Sequence, residues 1–336
     1  MFAEQVAGDA LNQALFDYSM REVAKVKPSD RFAHYTSGVA AEKIITGDAF
    51  GNRSLWLRNS RLMNDFTEVT LGQRCLRAAF EDWRLHDRFK RVLDAIHAQL
   101  YEAIASTLIK EQDELSDKTY LLSLALHNEQ ECQTGKLSMW RAYGGDDNVC
   151  LVFNTAPFIT YQSAYELVLS PVMYGGPKEF IREFEGVVYR LEQRVTLLKS
   201  LSVDDIFLNL KRALDFAVLS TKHTGFHEET EWRVIHQHSE QRPDPPSIPD
   251  PSDPTKLVYQ LPMENRPDAN LWGAALGEVL DRIIIGPTRD FFAARAYYID
   301  LLRQAGVANA EDRVIFCNIP LRRWDVRGST GAPTSS

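Results

Sequence analysis

The residues best placed to do chemistry lie in Phe226-His227-Glu228-Glu229-Thr230-Glu231-Trp232-Arg233-Val234-Ile235. The stretch from Glu229 reads as the mouth of a buried strand. Side chains alternate along an extended chain, so Glu229, Glu231 and Arg233 are expected on one face and Thr230, Trp232 and Val234 on the core face. Two carboxylates on one face repel each other unless they are solvated or put to use. Beside a cleft, such a pair could polarise a hydroxyl or stabilise a cationic transition state, as glycosyl transfer requires. Spacing alone favours a plainer reading, a solvated strand start with a surface Glu231–Arg233 pair.

Three further segments put polar residues at the ends of expected strands. They are His34-Tyr35-Thr36, Asn64-Asp65-x-x-Glu68, and Ser123 taken with Met139-Trp140-x-x-Tyr143. Singly, each reads as structure. A histidine on a strand is commonly hydrogen-bonded into a core or edge, Met-Trp-x-x-Tyr suits a hydrophobic plug, and Asn-Asp in a loop caps local backbone. Paired carboxylates also hold Mg²⁺ or Mn²⁺, so a metal-dependent nuclease or hydrolase using His34, Asp65, Glu68, His223 and His227 is an alternative. No H-x-x-x-H on a helix and no D-x-D supports it, because Thr-Gly-Phe between His223 and His227 indicates a loop.

The elements that must position these groups follow from periodicity. An amphipathic helix is expected over residues 3–24, then a strand at Arg31–Thr36. Ser37 caps a helix that stops at Gly47. Strands follow at 54–58, 119–125 and 148–153, with a candidate at 165–174. Helical insertions are expected at 69–112 and 178–220, the second holding two helices. Gln241 to Pro254 carries six prolines in fourteen residues and reads as a loop. Strands at 256–261 and 281–285, a helix at 291–304 and a strand at 313–319 close the chain. Strands come early, helices in the middle and strands late, which indicates an α+β fold around a mostly antiparallel sheet. Residues 1–325 read as one such domain and 326–336 as a disordered tail.

The net charge of −8 argues against broad attraction to nucleic acid or anionic membrane, though not against a local basic groove. Cys75, Cys132, Cys150 and Cys317 form no C-x-x-C pair, so neither a zinc site nor a disulfide framework is expected. Without a leader pattern or a long apolar run, a cytoplasmic protein is expected. No glycine-rich phosphate cradle is present.

In their order, these motifs resemble a bacterial family of uncharacterised domains. Its members carry H-Y-T, N-D-x-x-E, a Ser-Leu-Ser strand, M-W-x-x-Y-G and F-x-x-E-x-E-W-R, and the likeness runs from about residue 31 to residue 290. The chain departs at Ala125, which stands where the second serine would be. That arrangement in turn resembles the ADP-ribosyltransferase superfamily, which implies a split, mostly antiparallel sheet and NAD as substrate, with no metal. The resemblance implies that His34 binds the nicotinamide-side ribose with Thr36 nearby, and that Ser123 orients Glu231. Glu231 would accept the ribose 2′-hydroxyl and stabilise the oxocarbenium-like state, while Glu229 would deprotonate a macromolecular acceptor, protein or nucleic acid. Toxin or phage-defence use fits that picture.

Nicotinamide is a good leaving group, so such an enzyme mainly needs one anion under the ribose and an aromatic clamp. Tyr35, Trp140 and Tyr143 are candidates for the clamp, and Phe226 joins them from the last motif. The competing reading is a non-catalytic ligand-binding or sensor module that holds a partner through Trp56, Trp140 and Trp232.

Overall fold

Alternation of apolar and polar residues builds the strands that carry the site. A computed structural model describes residues 2–62, 67–111, 113–143, 147–159, 167–238, 244–269, 271–288 and 290–319. The strands are β1 (Arg31–Ser37), β2 (Ser54–Asn59), β3 (Thr119–His127), β4 (Asn148–Asn154), β5 (Val168–Pro171), β6 (Met173–Tyr174), β7 (Thr221–Lys222), β8 (Glu231–Gln237), β9 (Ser247–Asp250), β10 (Asp253–Pro262), β11 (Leu280–Ile285) and β12 (Val314–Phe316). Ten of them form one sheet, and β6 and β7 form a short parallel pair beside it. Among the described residues of the large sheet, only β11 and β12 pair in parallel, so the fold is α+β with a mostly antiparallel sheet.

The sheet divides at β3. One edge of β3 pairs with β8 from Thr119 to Ala125. The other edge is shared: β1 takes residues Ala125 to His127, and β2 takes Tyr120 and Leu121. Between these contacts β1 and β2 part, and the edge of β3 at Leu122–Leu124 faces an opening. The strand order β12-β11-β4-β1-β3-β2-β10-β9 runs across that split.

Two large cores flank this frame. Phe32, Leu122, Leu124, Trp232 and Val234 face a sheet core that the helix Phe291–Gln304 helps to close. A separate cluster joins residues from Phe2–Leu15, Thr67–Glu81, Trp83–Ile96, Leu100–Glu111, Pro177–Glu192 and Val203–Leu219. The two expected insertions therefore pack against each other and against the N-terminal helix as one helical bundle. Asp82 caps Trp83–Ile96 and Ser202 caps Val203–Leu219, each accepting backbone N–H bonds at the first turn.

Several local expectations need correction. The N-terminal helix breaks at Phe16 into Phe2–Leu15 and Asp17–Val23. The proline-rich segment contains the strand β9, which pairs with β10. Its Pro249 is tolerated because β9 is the edge strand, where a missing N–H costs no ladder bond. The strand expected from Glu229 begins two residues later, at Glu231. Asn64, Asp65 and the expected tail at 326–336 lie outside the described residues. Among those described, no helix is long and apolar enough to cross a membrane.

Candidate active site

A cleft of about 490 Å³ opens at the split. His34 from β1, Trp56 and Arg58 from β2, Ser123 and Ala125 from β3, and Glu231 from β8 line it. Tyr143 and Phe226, both exposed, line its mouth, and Lys222 and Glu229 also line the cleft.

Glu231 lies at the floor. In the antiparallel register it stands across from Ala125, while Ser123 stands across from Arg233. Ser123 and Glu231 are therefore diagonal neighbours on one face, close enough for side chains to meet. The Ser123 hydroxyl donates to Glu231 Oε1 at 2.6 Å. Arg233 Nε donates to the same oxygen at 2.9 Å, and Arg233 Nη2 reaches Oε2 at 3.2 Å. Lys222 Nζ donates to Oε2 at 2.8 Å. Glu231 is only 5% exposed and Arg233 1%, so the pair is buried and not the surface ion pair that spacing suggested. Burial works to raise the Glu231 pKa, but Arg233 and Lys222 outweigh it and hold the carboxyl down to about 2. The group is an anion at any ordinary pH.

The approach to Glu231 differs from a plain strand. Thr224–Glu229 winds as a 3₁₀ helix, and Thr230 ends it in the left-handed region at φ 43° and ψ 50°. A β-branched residue there is strained. The turn is held by Thr230 Oγ1 donating to the Leu126 carbonyl at 2.7 Å and by the Leu126 N–H donating to the Thr230 carbonyl at 2.9 Å. Thr230 is consequently exposed and not part of the core, whereas Trp232 and Val234 are buried as expected. Glu229 reaches the site from the turn, not by strand alternation. It accepts from Lys222 Nζ at 2.6 Å.

His34 shares strand parity with Phe32, whose ring lies in the sheet core, yet it borders the same cleft as Glu231 because the sheet is open beside it. Its Nδ1 lies 3.2 Å from the Ser123 carbonyl, on the β3 edge that neither β1 nor β2 covers. A carbonyl only accepts, so Nδ1 carries the hydrogen and the neutral ring keeps Nε2 as acceptor. Burial lowers the His34 pKa against the opposing pull of that carbonyl, which favours the neutral ring.

The aromatic candidates separate into two groups. Tyr143 and Phe226 are exposed at the mouth, with Lys222 Nζ 4.9 Å from the centre of the Phe226 ring. Trp140 is 3% exposed and is not among the lining residues. Its Nε1 donates to the Thr134 carbonyl at 2.9 Å, and its ring meets Tyr35 edge-on at 4.9 Å. Two glycines make room for it: a Cβ on Gly135 would stand 2.6 Å from Trp140 Nε1, and one on Gly286 would stand 2.9 Å from its ring. Trp140 is thus a core plug behind the cleft. Tyr35 borders the cleft but spends its hydroxyl inside, on His127 Nε2 at 2.9 Å and the Lys136 N–H at 2.6 Å. Thr36 lies farther along β1, across from Val149, and is not among the lining residues.

Residues 139–234 match a model for a family of unknown function, DUF2971. The matched stretch runs from Met139 through Val234, so it includes most of the helix of Trp140, Tyr143, Lys222, Phe226 and Glu229, and the first four residues of β8. Over these residues the chain is similar to DUF2971. No curated protein and no solved structure matches the chain.

Sequence reasoning found no sign of Lys222 or Arg58 as groups lining a site, pointed to Trp56 only as a partner contact of the binding-module alternative, and marked Arg233 only as a surface partner. Nothing in the local pattern marks Lys222, which lies on a two-residue strand after a helix end. Arg58 is bonded to Asp250 by Nε at 2.9 Å and Nη2 at 3.0 Å, across a segment read as loop. The exposed His223 and His227 bond within their own turn. Among the described residues, no three His, Cys, Asp or Glu side chains are grouped to hold a metal ion.

Proposed function

We propose that the chain cleaves the nicotinamide–ribose bond of NAD and passes ADP-ribose to a macromolecular acceptor, or to water. One observation carries the reading: at the open split of an antiparallel sheet, Ser123 Oγ bonds Glu231 at 2.6 Å in a cleft that His34 also lines. A buried anion held by a serine and facing a cavity suits an oxocarbenium-like transition state. In this reading His34 Nε2 receives a ribose hydroxyl, and Tyr143 and Phe226 stack on the leaving nicotinamide at the mouth. Glu229, nearer the entrance, meets the incoming acceptor. Tyr35 and Trp140 support the wall.

A second reading, a non-catalytic ligand-binding module, also has an observation in its favour. Four donor contacts already surround the Glu231 carboxylate, as expected of a structural ion pair.

Nicotinamide release from NAD in the presence of EDTA separates the two. Wild type should release it, and Glu231→Gln should slow release about 100- to 1,000-fold, the usual effect of losing one transition-state electrostatic contact. Glu229→Gln should mainly impair transfer and spare hydrolysis. Equal consumption by wild type and Glu231→Gln, or none by either with protein and nucleic-acid acceptors present, favours the binding module.

A further inference from the structure

Lys222 is the group at the cleft that neither the sequence motifs nor their resemblance assigns. It is 7% exposed. Its ammonium donates to Glu229 Oε2 at 2.6 Å and to Glu231 Oε2 at 2.8 Å, so one cation bridges both carboxylates. The chain has gone to some length to put it there. The helix Val203–Leu219 ends at Ser220, whose carbonyl accepts from the Met173 N–H at 2.7 Å. Strand β7 then pairs with β6, and the Gly175 N–H closes the arrangement on the Lys222 carbonyl at 2.9 Å. Arg233 Nη1 donates to the Leu219 carbonyl, fastening the same helix end to β8.

We infer that Lys222 is a positioning residue of this site: it keeps Glu229 and Glu231 ionised together and aimed at one point of the cleft. The inference rests on the proposed transferase reading for what the two anions do, but not for how they are held. Its physical basis is charge balance. A cation bonded to both carboxylates favours the ionised form of each, and its removal lets their mutual repulsion favour uptake of a proton. Among the described residues, Arg233 from β8 and Tyr174 from β6 also meet Glu231, and His34 and Arg58 line the same cleft. Tyr174 accepts the Glu231 N–H at 2.6 Å. With Lys222 replaced by a neutral chain, Arg233 still bonds Glu231 while Glu229 loses its bond to Lys222, so the pair should bind a proton more readily.

The test has two arms on the full chain. In the first, the carboxyl carbons of ¹³C-labelled glutamate are followed by NMR from pH 4 to pH 9, with Glu229→Gln and Glu231→Gln giving the assignments. Wild type and Lys222→Arg should show the same titration of both groups. Lys222→Met should show one titrating at least one pH unit higher. Lys222→Gln keeps a polar chain in the buried seat and serves if Lys222→Met does not fold. An unchanged titration in the neutral variants overturns the inference. In the second arm, nicotinamide release from NAD by the neutral variants should fall at least tenfold at pH 7 and recover toward pH 9, with Lys222→Arg near wild type. A purely structural lysine would give a loss that alkaline pH does not repair, and that result also overturns it. If the carboxyl titration shifts as stated but wild type releases no nicotinamide, the role of Lys222 stands and the transferase reading falls.

Discussion

The helical bundle and the floor of the split bury their side chains on opposite principles. In the bundle, Phe89, Leu93, Ile104, Val188, Leu191 and Leu198 are fully buried and touch other apolar groups. Phe89 alone meets Phe80, Tyr101 and Phe184 with ring centres 5.0 to 6.2 Å apart. At the split, beside apolar wall residues such as Leu122 and Met139, the buried charged side chains are Glu231, Arg233 and Lys222, with Ser170, Ser220 and Thr221 also buried. Apolar burial is favourable in itself, while a buried ion pair roughly offsets its own desolvation and is strongly missed only when one partner goes. A fold that carries three ions under a cleft is giving up stability that leucines would supply. Such a concession is expected where a site has work to do.

That contrast can be broken most directly by one substitution on each side. Phe89→Ala leaves a cavity in the bundle and should cost about 3–5 kcal/mol. Arg233→Met leaves Glu231 buried with one cation fewer and should also cost about 3–5 kcal/mol. Urea denaturation reads both. The two should then part company: assayed where both are folded, the Phe89 variant keeps nicotinamide release near wild type, whereas the Arg233 variant loses it. Equal loss of activity in both would mean that the bundle and the split form one functional unit.

Acid should sharpen the contrast with a smaller effect. His127 lies behind the cleft, fully buried against Tyr35, and burial first, Lys136 second, pushes its pKa from 6.5 down to about 3. A base with a depressed folded pKa is protonated more readily in the unfolded chain. Its contribution is therefore complete above pH 6.5 and is lost as the pH falls toward 3. Glu231, lowered from 4.5 to about 2, contributes above pH 4.5 and loses that contribution as the pH falls through 2. Between pH 7 and pH 5 the first window is open and the second closed, so wild type should lose about 2 kcal/mol through His127. His127→Gln should remove that share of the slope and leave what His34, also lowered by burial, contributes in the same interval, and Glu231→Gln should leave it unchanged. A flat wild-type profile would show that His127 is protonated in the folded protein.

The same contrast explains what could be read from the chain. Helical spacing of apolar residues is dense in 69–112 and 178–220, and the bundle helices appear there as expected. The helix Phe291–Gln304 matches its expected span. Apolar strand patterns marked β1, β3 and β8, and a mixed apolar run marked β4, for the same reason, since one or both faces are apolar. Alternation failed at Glu229 and Thr230, where a left-handed residue resets the register and no period survives. It also missed β9, because prolines that read as loop are compatible with an edge strand. His34, Ser123 and Glu231 were picked out as polar groups at strand ends, and they border one cleft. Lys222 could not be found that way: its position depends on a helix end, a two-residue strand and a turn meeting in space.

Ala125 provides the smallest and most specific test of the site. It stands where the resemblance drawn from the sequence leads one to expect a second serine, and in the register it faces Glu231 directly. The hydroxyl that reaches the carboxylate comes from Ser123 instead. Because Glu231 Oε1 and Oε2 each already accept two donors, a serine at 125 would find the carboxylate occupied and would turn its hydroxyl to the open cleft. Ala125→Ser should therefore change nicotinamide release by less than about threefold, well under 1 kcal/mol of barrier. Stability should shift by no more than about 0.5 kcal/mol, since the new group is not left buried without a partner. A tenfold or larger gain in release would reverse the argument. The second serine would then take part in the reaction, and the chain would be a weakened form of the site it resembles, with the dense bonding of Glu231 a compensation for the missing hydroxyl.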